Sequence, residues 1–438
     1  MEDTQVTLGQ ILTARENRVK AQQAFLTQYR CPIISFTMNI AGPVKDNPLI
    51  RRAFREGLAQ LKRLLPTDTI HAFTQTIEPT GCHALYAVSL PADTIKEICV
   101  GIEERTPLGR LFDMDVLDAH GIKLQRSRIR GCIVCGTPGR NCAARRLHSV
   151  ETLQSVTRHI IESYFLEADA DTVADHAVQS LLEEVNVTPK PGLVDRRNNG
   201  SHTDMDLPLF TVSANALRPY FRECFVLGRK TPLKDLFAAL RQAGLQAETV
   251  MYRVTGGVNT HKGAIFSMGL LCGSMGSLWS AADPHPQAEA VLAQCAQLAA
   301  SAVRQDLIAA AGITNGEQLY LRHGISGARG EAAAGYPSVW QALSFFRHLQ
   351  GKTPDRNHAL TATLLYLIAH ITDTNLYHRG GAAGAKWAAS AAKALLPLPA
   401  FAQVEALDDA FIERNLSPGG CADLLAAVIF LDTCCHHS

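Results

Sequence analysis

The chain has 438 residues, 47% of them hydrophobic and 19% charged, with a net charge of +1. That length suits two or three domains, and the apolar content is enough to bury real cores, which excludes a disordered chain. Neither a nucleic acid nor a membrane is expected as a partner.

The even balance hides an asymmetry: residues 1–150 carry +6 and the remainder −5. Between Ala119 and Val150 stand seven basic residues and no acid: Lys123, Arg126, Arg128, Arg130, Arg140, Arg145 and Arg146. Such a stretch is either a solvated face or a surface for polyphosphate or an acidic protein. The twelve cysteines are mostly scattered, and only Cys132, Cys135 and Cys142 cluster. With an acidic, polar start rather than a secretory signal, this usage points to a reducing, cytoplasmic setting.

Taken in chain order, residues 32–40 read as a strand and 47–65 as a helix. Residues 70–78 and 83–90 read as strands around the turn "PTG". Residues 91–105 open on Pro and acids, a helix start, and 110–118 alternate as a strand. The order β-α-β-β-α-β is that of ferredoxin-like domains. From about residue 156 the period becomes helical, with runs at 155–185, 233–254, 287–312 and 358–377 joined by Gly- and Pro-rich loops. The expected organisation is therefore an α+β domain over 1–155, ferredoxin-like or nucleotidyltransferase-like, and an all-α domain over 156–438. Residues 263–282 are uncharged and long enough to span a bilayer. Their Gly and Ser content and the lack of a second span favour a helix buried in the all-α domain.

The chemistry sits in the loops. "KPGLVDRRNNGSHTDMD" (190–206) places Asp195, Asp204 and Asp206 in a segment without regular structure. "GGVNTHKGAIF" offers Asn259 or Thr260 as the cap of the buried helix, with His261 and Lys262 in its first turn. A cation at that end either points to water or suits a phosphate on the free amides. "SGARGEAAAGYPSV" holds Arg329 and Glu331 among glycines, which let backbone approach a ligand. "DTNLYHRGG" places Asp373, Asn375, His378 and Arg379 at the end of an apolar helix, and "SPGGCADLL" begins another. In the first half, "GRLFDMDVL" puts Asp113 and Asp115 two apart, on one face of a strand, where a carboxylate pair can hold Mg²⁺ on a nucleotide. The alternative is an edge strand with two solvated Asp. Arg110 lies just before them. Cys132, Cys135, Cys142 and His148 offer four zinc-ligand types in seventeen residues, with thiols packing a Gly/Pro turn as the alternative.

The motifs "TPKPGLVD", "HTDMD", "GVNTHKGAIF", "SGARGEAAAGYPSV", "DTNLYHRGG" and "SPGGCADLL" together resemble those of triphosphoribosyl-dephospho-coenzyme A synthases, over about 160–435. "NIAGPVKDNPL", "TPLGRLFDMDVLD" and "CIVCGTPGRNCAARRLHSVETL" resemble apo-citrate lyase phosphoribosyl-dephospho-coenzyme A transferases, over about 10–155. The whole chain resembles a fusion of the two. The resemblance implies two activities. In one, the ribose 2′-hydroxyl of 3′-dephospho-coenzyme A attacks the anomeric carbon of ATP and adenine leaves. In the other, the product is transferred to a serine of the citrate lyase acyl carrier protein (gamma subunit), and pyrophosphate leaves. It further implies that Asp195, Asp204 and Asp206 hold Mg²⁺ on the triphosphate. Lys190, Lys262 and Arg329 would bind phosphates, and Asn259, His261, Asp373 and Asn375 the substrates. Glu331 would be a proton acceptor, with Asp204 also catalytic. Asp113 and Asp115 would be metal ligands and catalytic residues of the transferase, and Arg110 a phosphate ligand. Two alternatives stay open: the equivalent pair for malonate decarboxylase, and a carrier-docking module without activity.

Overall fold

The computed structural model describes residues 4–127, 129–137, 142, 145–308, 318, 320–322 and 324–436. It divides into two units, Met1–Glu167 with Ala281–Asp283, and Ala168–Ser280 with Pro284–Ser438. The division falls inside α4 (Val150–Asn186) rather than after residue 155. One helical period runs through both sides of it, so composition alone does not mark the break.

The first unit holds α1 (Leu8–Tyr29), β1 (Ile33–Met38), α2 (Pro48–Leu64), β2 (Ile70–Glu78), β3 (Gly81–Val88), α3 (Ala92–Arg105) and β4 (Phe112–Leu117). The sheet order is β2-β3-β1-β4, and all neighbours are antiparallel. Strand β1 is central, and Ile33, Ile34 and Phe36 are each fully buried. Phe36 stacks on Phe54 of α2 at 4.9 Å and meets Phe112 edge-on at 5.3 Å.

Along β4 the period of two holds: Phe112, Met114 and Val116 are buried, while Asp113 and Asp115 project from the other face. The outer edge of β4 does not stay open. Glu103 of α3 accepts the Met114 amide at 2.8 Å, and Lys96 donates to the Met114 carbonyl at 3.4 Å. This blocks pairing with another strand. Helix α1 is an element the hydrophobic pattern does not announce, because it buries none of its residues fully. Its start is a capping box between Thr7 and Gln10. Ala21, Phe25, Leu26 and Tyr29 rest on a cluster of Cys31, Ile33, Leu85 and Ala87.

The second unit is helical. After α4 come α5 (Leu207–Ala216), α6 (Arg218–Lys230), α7 (Leu233–Val254), α8 (Lys262–Leu278), α9 (Ala288–Ile308), α10 (Gly327–Ala333), α11 (Pro337–Gln350), α12 (Arg356–His370), α13 (Thr374–Ala394), α14 (Phe401–Glu413) and α15 (Gly419–Cys434). Helix α8 is the uncharged segment, and it is buried from Ala264 to Gly276 apart from Phe266. Among the described residues no helix is long and apolar enough to cross a membrane. The small residues of α8 have a packing reason. A Cβ on Gly228 of α6 would overlap the Gly273 carbonyl, and one on Gly276 would overlap the Phe225 carbonyl. The α6 and α8 backbones therefore approach as only glycine permits.

One expected helix is two. The run 358–377 breaks at Ile371–Asp373, and "DTNLYHRGG" begins α13 rather than ending α12. Asp373 is the cap: its Oδ1 accepts the amides of Asn375 at 2.7 Å and Leu376 at 3.1 Å.

Candidate active site

The second unit contains a cavity of about 790 Å³, a size suited to small-molecule ligands. Its walls come from α4, the 190–206 loop, the start of α8, the 324–331 segment, and the starts of α13 and α15.

The 190–206 loop has no helix or strand, as its composition predicts, but it is not a loose surface segment. Lys190 through Asp195 are all buried. Its backbone polar groups are satisfied by carboxylates. Asp195 accepts from the Thr188 hydroxyl at 2.8 Å and from the amides of Lys190, Arg197 and Asn198 at 2.9, 2.6 and 3.1 Å. Asp408 of α14, fully buried, accepts from the Gly192 amide at 2.8 Å, Arg197 at 2.5 Å and the Asn198 side chain at 2.8 Å. Gly192 has φ +70° and no room for a Cβ beside the Leu416 carbonyl.

The three aspartates of this segment are placed separately. Asp195 staples the loop. Asp206 caps α5 by accepting the Leu209 amide at 2.8 Å. Asp204 is exposed, with an oxygen 3.9 Å from His202 Nδ1. None of the three lines the cavity. Arg329 lines a separate cavity of about 430 Å³ with Tyr220, Phe237 and Arg241.

Seven expected residues do meet at the cavity: Lys190, Asn259, His261, Lys262, Glu331, Asp373 and Asn375. Lys190 is almost wholly buried and donates from Nζ to Glu184 Oε1 at 2.6 Å and to the Glu184 carbonyl at 2.8 Å. The start of α8 is less open to phosphate than its sequence suggests. Asn259 Oδ1 accepts the Lys262 amide at 3.1 Å, and the Ala264 amide is turned toward Asp423. Lys262 itself pairs with Glu248 at 2.9 Å. His261 is buried with Nδ1 2.8 Å from the Ser213 hydroxyl, and burial first, then Lys190, lowers its pKa to about 3. Glu331 accepts from the Ser338 hydroxyl at 2.7 Å.

Glu184 and Asp423 emerge only from the fold. Asp423 of α15 lies on the cavity wall so close to α8 that a Cβ on Gly263 would overlap its Oδ2. Burial pushes its carboxyl well above the usual range, reinforced by the charges of Glu184 and Asp373. Burial likewise raises Glu184, against the pull of Lys190, and raises Asp373, against its hydrogen bonds. Also lining the cavity, Arg379 has Nη2 3.3 Å from His202 Nδ1. A guanidinium only donates, so Nδ1 accepts and Nε2–H donates to Ser417 Oγ at 2.9 Å. Burial, then Arg379, lowers the His202 pKa. Glu184 carries no local sequence signal, since it sits inside a long helix. Asp423 lies within a quoted motif, but there it reads as an ordinary helix residue.

In the first unit, Asp113 and Asp115 do share a face. Asp115 pairs with Lys123 at 2.5 Å. Asp113 still reaches solvent, yet crowding by protein, then Asp115, raises its pKa. The charges of Arg18, Lys96, Lys123 and Arg130 act on Asp113. Arg110 is turned to the Gly131 carbonyl at 2.6 Å. Of the basic stretch, Lys123, Arg126 and Arg130 are engaged internally with Asp115, Glu103 and Glu104. Arg145 and Arg146 are exposed, while Arg128 and Arg140 lie outside the described residues. Cys132, Cys135, Cys142 and His148 come together, with their ligand atoms within 4.8 Å of one another.

Comparison with known proteins agrees with this division. Residues 170–438 match the family of ATP:dephospho-CoA triphosphoribosyl transferases, and residues 6–164 the family of apo-citrate lyase phosphoribosyl-dephospho-CoA transferases. Protein CitXG of Haemophilus influenzae is 35% identical over 98% of this chain and 96% of that protein. Protein CitXG of Leuconostoc mesenteroides is 31% identical over 97% of each. The 2-(5''-triphosphoribosyl)-3'-dephosphocoenzyme-A synthase of Pectobacterium atrosepticum is 43% identical over 62% of this chain and 92% of that protein. The chain belongs to the family of fused transferases that make the prosthetic group of citrate lyase and attach it.

Proposed function

We propose that the cavity of the second unit is where ATP and 3′-dephospho-coenzyme A are joined. The observation that carries this is the meeting of Glu184, Glu331, Asp373 and Asp423 with Lys190 and Arg379 around one volume. Such a site can grip a polyanion and also take up a proton. The 2′-hydroxyl oxygen of dephospho-coenzyme A bonds to the anomeric carbon of ATP as the bond to adenine breaks, and adenine leaves with the bonding pair and takes up a proton. Glu331, oriented by Ser338, accepts the hydroxyl proton. Positive charge developing on the ribose is stabilised by the surrounding carboxylates. His261, neutral and buried, and Asn259 position substrate at the α8 end.

Two of the carboxylates on the cavity wall, Glu184 and Asp423, are candidate ligands for a divalent cation. Asp423 is raised by burial and by two like charges, and a cation relieves such repulsion. Asp423 and Glu184 would hold Mg²⁺, in place of the loop aspartates, and the ion would supply positive charge for the triphosphate. Lys190 sets the Glu184 carboxylate, and Arg379 takes part in phosphate binding.

The first unit is read as the transferase, over the domain expected from residue 1 to about 155. Its sheet order and its two β-α-β crossings support a ferredoxin-like assignment. Asp113 and Asp115 would bind metal on the intermediate, with Arg18 and Lys123 beside the leaving pyrophosphate. The exposed Arg145 and Arg146 would meet the acyl carrier protein of citrate lyase. Twelve free cysteines support a cytoplasmic location.

The test is to incubate the full chain with ATP and 3′-dephospho-coenzyme A, follow adenine by mass spectrometry, then add apo carrier protein and measure its intact mass. Adenine release followed by the mass gain of one phosphoribosyl-dephospho-coenzyme A supports the reading. Hydrolysis of ATP to ADP without adenine rejects it.

A further inference from the structure

The loop after β4 holds a cluster that lies apart from the residues assigned above to either reaction. Cys132, Cys135, Cys142 and His148 place one sulfur or nitrogen each within 4.8 Å of the others. Tetrahedral zinc, with bonds of about 2.3 Å to sulfur, separates two thiolates by roughly 3.8 Å. Cys135 Sγ and Cys142 Sγ are 3.5 Å apart. That is far longer than a disulfide of about 2.05 Å and close to the spacing of two ligands on one ion.

The backbone around the first pair is built for a metal. The Val134 amide points at Cys132 Sγ, at 3.4 Å, a contact that stabilises a thiolate more than a thiol. The Gly136 amide closes the turn on the Cys132 carbonyl at 2.9 Å, and Gly136 has φ +72°, where a side chain is strained. The Cys132 amide donates to the Thr137 carbonyl at 2.9 Å. A Cβ on Gly131 would overlap the Gly136 carbonyl, so the turn is also tight. A second, independent sign comes from His148. Its Nε2 is buried without a nitrogen or oxygen partner among the described residues, and its imidazole is turned to the Cys135 thiol. A thiol is a weak partner for a buried imidazole nitrogen, and coordination would satisfy it better.

We infer that Cys132, Cys135, Cys142 and His148 form a closed structural zinc site that locks the loop between β4 and α4. Three thiolates and one imidazole fill a tetrahedral shell and leave no position for water or substrate, so the site is structural rather than catalytic. Zn²⁺ replaces the three thiol protons, which pass to solvent, and no redox partner is needed.

The site has mechanical consequences. Gly131, next to the first ligand, accepts from Arg110 at 2.6 Å, and Arg130 donates to the Phe112 carbonyl at 2.6 Å. Fixing the knuckle therefore fixes both arginines at the beginning of the strand that carries Asp113 and Asp115. On the other side, Cys142 and His148 bracket the exposed Arg145 and Arg146. The ion would hold that basic pair in one place on the surface.

The full chain should be purified without a metal-affinity tag from zinc-containing medium, and its metals measured. About one zinc per chain is expected. Cys142→Ser and His148→Ala should each lose most of it, while Cys82→Ala, outside the cluster, keeps it. Cobalt loaded in place of zinc should give the strong visible absorption of a tetrahedral thiolate site. Zinc below about 0.2 per chain, or a Cys135–Cys142 disulfide found by peptide mass, overturns the site. Its local role is read separately, and that arm rests on the transferase reading of the first unit. After zinc is stripped, adenine release should be unchanged while carrier modification falls at least tenfold. Equal loss of both activities, or of neither, overturns that role without touching the metal count.

Discussion

Lys190 Nζ lies 2.6 Å from Glu184 Oε1, and the two side chains are 1% and 9% exposed. A Lys from the loop and a Glu from α4 thus form a buried ion pair at the cavity wall. Breaking such a pair from one side leaves an uncompensated charge, at a cost of about 3–5 kcal/mol. Lys190→Met should therefore lower the unfolding temperature markedly. Lys190→Met with Glu184→Gln should recover much of that stability yet still release no adenine. Thermal melts and adenine assays on the same samples check this, and a stable, active Lys190→Met would contradict it.

Asp423 and Asp204 separate two ideas of where the metal binds. Asp423 and Glu184 both face the cavity, whereas Asp204 is exposed outside it. Asp423→Asn should reduce adenine release by about 10²-fold or more, while Asp204→Asn should stay within a few-fold of wild type. Initial rates at saturating ATP and several Mg²⁺ concentrations measure both. The reverse ranking would return the metal to the loop.

The pH dependence of the second unit should carry the mark of His261. Burial first, then Lys190, holds its folded pKa down to about 3, against about 6.5 in an unfolded chain. Above pH 6.5 both states are neutral there and the stability is fully present. As pH falls from 6.5 toward 3, the unfolded chain binds a proton that the folded chain does not, and stability is lost. By pH 5 the loss is about 2 kcal/mol. The stability difference between wild type and His261→Asn should narrow by that amount from pH 7 to pH 5. Parallel denaturant curves for the two at each pH would refute a neutral buried His261.

Asp113 and Asp115 face the same way on β4, and Asp115 is held by Lys123 at 2.5 Å. Asp113→Asn and Asp115→Asn should each cut pyrophosphate release by about 10²-fold or more, with adenine release unchanged. Binding of the apo carrier should remain near wild type. Arg145→Glu with Arg146→Glu should do the opposite, weakening carrier binding and flattening its salt dependence. Full modification of the carrier by Asp113→Asn in the presence of Mg²⁺ would remove the pair from the site.

Local sequence by itself determined the parts of this protein that rest on local physics. Alternation marked β4 and put Asp113 and Asp115 on one face, because side chains alternate along any strand. Helical spacing marked α2, α3 and α7, and the Gly-rich uncharged run foretold a buried α8 packed through small residues. The motifs also pointed to the family and to seven of the cavity residues. Tertiary structure decided which carboxylates face the cavity. Asp195 and Asp206 resemble metal ligands in a list of residues, but amides of its own loop engage both oxygens of Asp195, and Asp206 caps a helix away from the cavity. Glu184 and Asp423 look like ordinary helix residues, and they meet only because α4 and α15 converge on one volume. Helix α1 was hidden for a related reason: it rests on the sheet through partly buried residues and has no continuous apolar stripe to announce it. Periodicity reports which way a side chain points from its own element. What that side chain meets there depends on elements far away in the chain.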